Sequence, residues 1–176
     1  VFVGAQSGDA ITTGENNTAV GQGALATDDV GLGSVAVGTQ AMTNQNIASA
    51  SYTLNTAVGF QSLYYNVTGA GNTALGYRAA FGSVSGASHS SNTAIGYHAL
   101  KDITTGSSNT AVGSASLDAN TTGANNTAFG SSAGSALTTG SNNLFVGSSA
   151  GEVATTGTEN TFLGNVSGSS ITTGSK

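Results

Sequence analysis

The chain has 176 residues, and only 6% of them are charged, whereas about 25% is typical of globular domains. Three basic side chains and a net charge of −5 exclude the basic surface needed to bind nucleic acid or an anionic membrane surface. No cysteine is present to form a disulfide framework. No apolar run reaches the roughly 18 residues of a membrane-spanning helix, so we expect no membrane insertion.

One phrase, Asn-Thr-Ala-Val-Gly or a close variant, recurs ten times. It ends at Gly4, Gly21, Gly38, Gly59, Gly76, Gly96, Gly113, Gly130, Gly147 and Gly164. Successive glycines are 17 residues apart, except for steps of 21 after Gly38 and 20 after Gly76. A short fixed period indicates that each repeat is one coil of a stack. We therefore expect residues 1–176 to form a single solenoid array.

Each coil is numbered here from its phrase glycine as position 0. Positions −3 to −1 are mostly Thr-Ala-Val, which favours extended backbone, so ten short strands are predicted, each ending just before its glycine. A second glycine follows at +10 in nine coils, Gly86 among them, and both glycines are expected to form corners. The sequence predicts an all-β fold, a parallel β-solenoid of about ten coils with two strands and two corners per coil.

Asparagine dominates position −4, which suggests a column of stacked amides. Stacking in register places like residues over one another at about 4.8 Å, so ten coils would form a rod on the order of 48 Å long. The asparagines would then form a structural ladder along the rod. Its members are Asn17, Asn55, Asn72, Asn92, Asn109, Asn126, Asn143 and Asn160, and Ser34 takes the remaining place.

The two apolar strand positions predict the oligomeric state. Neighbouring strand residues point to opposite faces, so we expect position −1 to form a buried apolar spine and position −2 to face outward. Position −2 is Ala in seven coils and Phe in three. We expect another copy of the chain to cover this face, most simply in a homotrimer, the alternative being a monomer with a flat alanine face. Val1 at −3 and Lys176 at +12 leave no capping repeat, which suggests a piece of a longer array or head-to-tail filaments.

The phrase, the small residue at +3 and the following Thr-Thr-Gly-x-x-Asn resemble repeats of bacteriophage tail fibres. They are also similar to the YadA-like head repeats of trimeric autotransporter adhesins, whose phrase is similar to Ser-Val-Ala-Ile-Gly. The 17-residue step is longer than the usual coil of that adhesin family. The resemblance covers the whole chain and implies a trimeric parallel β-roll, on a virion or a cell surface, that serves attachment.

The two longer coils predict a binding region. Their insertions are expected near residues 48–52 and 87–91, and insertions in solenoids often form the binding face. Aromatic and basic residues around them could contact a host-surface glycan or a protein receptor. These candidates are Tyr52, Tyr64, Tyr65, Tyr77, Arg78, His89, Tyr97 and His98. The alternative is that these residues pack the bulges and decorate the surface.

Little in the sequence favours catalysis. Glycoside hydrolysis needs two carboxylates about 5–10 Å apart, and the eight acids are spread along the chain with Asp28 and Asp29 the only adjacent pair. His89 and His98 lack a metal-binding pattern. We expect no enzyme, no metal and no cofactor. The leading hypothesis is a structural, extracellular fibre segment for attachment, with ice binding or a polysaccharide-binding or -degrading tailspike domain as alternatives.

Overall fold

A computed structural model describes residues 1–174, and Ser175 and Lys176 lie outside the described residues. The strands are β1 (Phe2–Val3), β2 (Thr18–Val20), β3 (Val35–Val37), β4 (Thr56–Val58), β5 (Thr73–Leu75), β6 (Thr93–Ile95), β7 (Thr110–Val112), β8 (Thr127–Phe129), β9 (Leu144–Val146) and β10 (Thr161–Leu163). They pair in parallel and in chain order to form one ten-stranded sheet. The predicted parallel β-solenoid of ten coils is therefore confirmed.

Equivalent residues of successive coils pair directly. Ala111 lies between Ala94 and Ala128, and Val112 lies between Ile95 and Phe129. The register is the same for all nine pairs of strands, including those that flank the two longer coils. The insertions therefore leave the sheet unbroken.

The strands face the opposite way from the prediction. Position −2 points into the coil, where Ala19, Ala111 and Phe145 are fully buried. Position −1 points outward, where Leu75 is 47% and Leu163 is 65% exposed. The expected buried spine at −1 and the expected outer alanine face at −2 are therefore both wrong. The coil is thin, and side chains from the following corner fill much of its interior. In most coils the space left at position −2 therefore fits only a small side chain such as alanine.

The second predicted strand is absent from the described residues, because the corner after the first glycine alternates in backbone handedness. Ala115 at +2 has a φ of 55° and Leu117 at +4 has a φ of 48°, and residues in the same two columns of the other coils also have positive φ. Such a backbone cannot extend into a strand. It turns positions +3 and +4 into the core instead, where Leu117 is fully buried. Burial of one such leucine contributes about 1.5–3 kcal/mol.

The two glycine columns have different roles. At position 0, Gly113 has a φ of 136°, and a Cβ there would lie 2.4 Å from the carbonyl oxygen of Gly130. At position +10, Gly123 has no positive φ, but its Cβ would lie 2.2 Å from the carbonyl oxygen of Gly140. The first column therefore needs glycine for both conformation and space, and the second needs it for space alone in the coils of regular length.

In the coil that begins at Gly76, His89 rather than Gly86 occupies the second glycine column. The Asn72 side chain donates to the His89 carbonyl oxygen at 2.8 Å, as other ladder asparagines donate to the glycine of this column. Gly86 has a φ of 90°, and no atom lies within 4 Å of the position of its Cβ. The prediction that Gly86 forms the second corner is therefore wrong.

The insertion of this coil lies earlier than predicted. The backbone N–H of Val67 donates to the Ala87 carbonyl oxygen at 2.8 Å, so Ala87 is in register with the coil before it. Ala87 and His89 are also buried. The extra residues therefore lie within 82–86 and not at 87–91. In the other long coil, hydrogen bonds of Asn46 and Thr53 to neighbouring coils confine the extra residues to 47–52, which includes the whole predicted segment 48–52.

The asparagines at position −4 are hydrogen-bonded to one another along the rod. From Asn72 to Asn160, each backbone N–H donates to the Oδ1 atom of the preceding ladder asparagine at 2.8–3.0 Å. Each Nδ2 also donates to a carbonyl oxygen of the second glycine column. At Ser34, where asparagine is missing, Gln45 closes the gap by accepting from Asn55 Nδ2 at 2.8 Å.

Candidate binding surface

Six of the eight predicted binding residues lie together at one corner of the rod, which we call the aromatic corner. It follows strands β4, β5 and β6 and combines positions +1, +2, +5 and +6. Its members are Phe60, Gln61, Tyr64, Tyr65, Tyr77, Arg78, Phe81, Tyr97 and His98. Phe60, Gln61 and Phe81 were missed in the sequence, although their spacing from the phrase glycines matches that of the tyrosines and arginine.

Position +1 carries a ladder of three stacked rings. The centroids of Phe60 and Tyr77 are 5.5 Å apart with an interplanar angle of 10°, and those of Tyr77 and Tyr97 are 5.3 Å apart with an angle of 9°. Tyr77 is 39% exposed and Tyr97 is 53% exposed. Because a neighbouring ring covers each face of Tyr77, the exposed part of this side chain is its edge.

A second aromatic group lies at positions +5 and +6. Tyr64 stacks on Phe81 with centroids 5.4 Å apart, and Tyr65 meets both rings edge-on. All three side chains are half-buried. The two aromatic groups flank position +2 of the same coils.

Arg78 occupies position +2 between the two aromatic groups. Its guanidinium carbon lies 5.4 Å from the centroid of Tyr77 and 5.0 Å from that of Phe81. Arg78 Nε donates to Gln61 Oε1 at 2.8 Å, and Gln61 Nε2 donates to Gln40 Oε1 at 2.8 Å. Cation–π contacts and this chain of hydrogen bonds therefore fix the side chain at the corner.

Arg78 differs from Lys101, the other basic side chain that the structure describes, in its charged neighbours. Lys101 Nζ lies 3.1 Å from an oxygen of Asp118 and 3.3 Å from one of Asp102. Burial disfavours the charged ammonium of Lys101, but the hydrogen bond and charge of Asp118 outweigh it and raise its pKa. His98 stacks on Tyr97, and burial lowers the pKa of His98 below its usual value. Arg78, in contrast, forms no ion pair within residues 1–174.

The other two predicted binding residues lie apart from this corner. Tyr52 is in the first insertion, is largely exposed, and forms a bridge with Leu32. His89 is fully buried in the second glycine column, and burial lowers its pKa to about 4. His89 is therefore a core residue and is not part of a surface that could meet a ligand.

The outward side of the ten-stranded sheet, which we call the strand face, is a second notable surface. Position −3 supplies threonine in seven coils, and position −1 supplies an aliphatic or phenylalanine side chain in every coil. Neither column contains a charged residue. The strand face is therefore an uncharged stripe that runs the length of the described rod.

The two adjacent acids, Asp28 and Asp29, do not form a carboxylate pair. Asp28 is fully buried, where its oxygens accept from Gln45 Nε2 at 2.8 Å and from the Gly31 N–H at 3.1 Å. Burial raises the pKa of Asp28, although these hydrogen bonds oppose the shift. Asp29 accepts from the Thr12 hydroxyl at the surface. The buried member thus belongs to the structural network around Gln45.

Chemistry beyond these surfaces is sparse in the part of the chain described. Residues 1–174 contain no group of three or more histidines or acids placed to hold a metal ion, and no pocket. They also contain no helix of the length and apolarity needed to cross a membrane. Comparisons with protein-family models, curated proteins and solved structures gave no match. Function is therefore inferred from the geometry of the aromatic corner and the strand face.

Proposed function

We propose that the chain is a rigid, non-catalytic segment of an extracellular fibre that serves attachment. The observation that carries this proposal is the unbroken pairing of ten coils in a single register, reinforced by the buried amide ladder. Such a column is stiff along its axis and holds side chains at fixed spacing. The resemblance of the repeat phrase to phage tail fibres and YadA-like adhesin heads supports the same role.

Attachment also needs a surface that recognises a target, and the aromatic corner supplies one. It projects from the middle of the array, where the coils differ most from the repeat. Weak contacts with a host glycan or receptor gain avidity when several copies are held together in one fibre.

Self-association through the strand face would bring such copies together. Positions −3 to −1 of ten coils, which leave the aromatic corner free, cover on the order of 480 Å² at the usual strand spacings. That is more than half of the about 800 Å² that a standard stable interface buries on each partner, and these positions contain no charged residue whose burial would oppose association. We therefore propose a homotrimer or filament in which the strand face, and not the alanine column at −2, is covered by another copy.

Solution mass combined with negative-stain imaging tests the fibre. We expect a mass of three times the 17.0 kDa of one chain, or a larger polymer, and elongated particles. A compact particle with the mass of one chain would contradict the fibre proposal. Release of new reducing ends from a capsular polysaccharide incubated with the protein would contradict its non-catalytic character.

The strand face also favours a second candidate function, ice binding. Regularly spaced threonine hydroxyls point outward from seven coils, beside an aliphatic side chain in six of them and beside Phe129 in the seventh. The Thr-Thr pairs before the second glycine do not provide a paired array, because only one threonine of the pair is free. Thr121 Oγ1 donates to the Thr138 carbonyl oxygen at 3.1 Å, and Thr122 alone is exposed. A thermal-hysteresis assay separates the two functions. A fibre whose strand faces are buried between copies should give no hysteresis, whereas an ice-binding monomer should.

A further inference from the structure

We infer that the aromatic corner binds the carboxylate group of an acidic saccharide, with Arg78 as its anchor. This inference rests on the proposed attachment role and names the class of ligand that the corner would recognise. Three independent features of the corner support it: an unpaired cation, a fixed guanidinium geometry, and rings that offer edges instead of faces.

The cation is available for an external anion. Among the basic side chains described, Lys101 is already paired with two carboxylates, and Arg78 has none. Arg78 uses only its Nε atom within the protein, in the bond to Gln61. The two terminal amino groups remain without a hydrogen-bond partner in the described residues. A planar fork of this kind matches the two oxygens of a carboxylate.

The guanidinium is held in place before any ligand arrives. Tyr77 and Phe81 contact it, and the chain of hydrogen bonds through Gln61 to Gln40 fixes the direction of Nε. A free surface arginine loses rotamer entropy when it binds, and this loss weakens affinity. For Arg78, most of that loss has already occurred on folding.

The stacked rings select a polar, hydroxylated ligand. Sugar-binding aromatic residues commonly offer a ring face, but Phe60 and Tyr97 cover both faces of Tyr77. The exposed edges of Tyr77 and Tyr97 carry hydroxyl groups that have no partner among the described residues. A phenolic hydroxyl can both donate to and accept from a sugar hydroxyl. One carboxylate contact beside several hydroxyl contacts corresponds to an acidic sugar.

The charge of the whole chain adds selectivity. The net charge of −5 repels polyanions in general. Binding of an acidic polymer would therefore depend on a local contact at Arg78 and not on a diffuse basic patch. Each site would bind weakly, and several sites along a fibre would act together.

Binding of polygalacturonate, measured by biolayer interferometry at physiological ionic strength, tests this inference. Its fully methyl-esterified form is the matched neutral ligand, and poly-glutamate supplies carboxylates without sugar. We expect polygalacturonate to bind and its methyl ester to bind at least about tenfold more weakly, because the ester loses a hydrogen bond to a charged group. Poly-glutamate should bind severalfold more weakly, because it lacks the hydroxyl groups that would meet Tyr77 and Tyr97.

The variant Arg78→Gln should weaken polygalacturonate binding about tenfold or more. It should fold normally, because glutamine already occupies the same column with a positive φ at Gln40 and Gln61. Lys101→Gln is the control, since it changes the net charge equally but removes a cation that is already paired. Tyr77→Phe, matched by Phe60 in the same column, should weaken binding severalfold.

Equal binding by the wild type and Arg78→Gln would overturn the proposed anchor, and so would a complete failure to bind polygalacturonate. Equal binding of the methyl ester would overturn carboxylate recognition. Equal binding of poly-glutamate, or an unchanged Tyr77→Phe variant, would overturn the saccharide. Mass and particle shape measured on the same samples test the fibre separately, so that failure of the ligand is distinguishable from failure of the rod.

Discussion

The ring of Phe145 fills the space that a side chain at Gly151 would occupy. A Cβ at Gly151 would lie 2.5 Å from both Cδ1 and Cε1 of Phe145. The first coil has the same relationship, because a Cβ at Gly8 would lie 2.6 Å from the ring of Phe2. Most coils with alanine at −2 carry a large residue at +4, as in the coil that contains Ala111 and Leu117. The two columns therefore share one volume of the core.

Exchange of the large side chain between these columns should be tolerated better than either change alone. Phe145→Ala leaves a cavity and should cost about 3–5 kcal/mol. Gly151→Leu overpacks the same space and should cost about 1–3 kcal/mol or more. The double variant recreates the Ala and Leu arrangement of other coils, so its cost should fall below the sum by about 1–3 kcal/mol. Denaturant unfolding of the four proteins measures this coupling.

Gly8→Leu provides the control for that cycle. Its Cβ would lie 2.6 Å from the ring of Phe2, a phenylalanine in the first coil that is remote from Phe145. Combined with Phe145→Ala, it should give an additive loss of unfolding free energy. Additive behaviour of Gly151→Leu as well would contradict the shared volume.

Substitutions at two adjacent strand positions should have opposite effects on folding and assembly. Ala111 is fully buried, so Ala111→Glu places a carboxylate in the core at a cost of several kcal/mol and should prevent folding. Val112 lies on the strand face, so Val112→Glu should keep the fold, with a change within about 1 kcal/mol, and should abolish self-association. Circular dichroism and solution mass measure the two outcomes. A folded Ala111→Glu protein together with an unfolded Val112→Glu protein would reverse the assignment of the faces.

The sequence was sufficient to predict the coil period, the parallel register and the asparagine column. These features follow from stacking alone, since identical residues must meet when coils of 17 residues lie over one another. The inward face was not predictable from alternation, because positions −2 and −1 are both apolar and alternation is consistent with either orientation. The signal that could have decided it is the pairing of phenylalanine at −2 with glycine at +4, as in Phe145 and Gly151.

The candidate site was predictable only in part. Tyr77, Arg78 and Tyr97 share a corner because they hold neighbouring columns in successive coils. The sequence does not predict the left-handed backbone at +2 and +4. Residues other than glycine rarely adopt a positive φ, so nothing about Arg78 indicates that its backbone does. His89 was misplaced because counting forward from Gly76 crosses the insertion, whereas counting back from Gly96 places it in the glycine column.

The buried ladder should depend on each of its central asparagines. Asn109 Oδ1 accepts from the backbone N–H and the Nδ2 group of Asn126, and Asn109 Nδ2 donates to the Gly123 carbonyl oxygen. Asn109→Ala leaves at least two buried groups without partners, each at a cost of about 1–3 kcal/mol. We expect the unfolding free energy to fall by about 3–5 kcal/mol, measured by denaturant titration.

Ser131→Ala is a suitable control for the ladder variant. Ser131 is exposed at position +1, and its replacement should change stability by less than about 0.5 kcal/mol. Similar stabilities of the Asn109→Ala and Ser131→Ala variants would mean that the amide column adds nothing beyond the backbone pairing.

Acidification should destabilise the fold through His89. Burial lowers the pKa of this residue from 6.5 to about 4, so the fold favours the neutral imidazole while the unfolded chain binds the proton at higher pH. Its contribution is therefore fully present above pH 6.5 and is lost as the pH falls to about 4. At about 1.36 kcal/mol for each pKa unit, the loss is about 3 kcal/mol. The unfolding free energy of the wild type minus that of His89→Gln should therefore fall by about 3 kcal/mol between pH 6.5 and about pH 4.

Asp28 changes the stability with pH in the opposite direction to His89, so the informative quantity is the difference in unfolding free energy between the wild type and His89→Gln. Burial raises the pKa of Asp28, so its contribution to stability grows as the pH falls and the carboxylate becomes protonated. Asp28 is present in both proteins and cancels in the difference. His98→Gln is the histidine control, since His98 is only partly buried and should change the pH profile less. Parallel pH profiles for the wild type and His89→Gln would mean that the buried imidazole does not resist protonation.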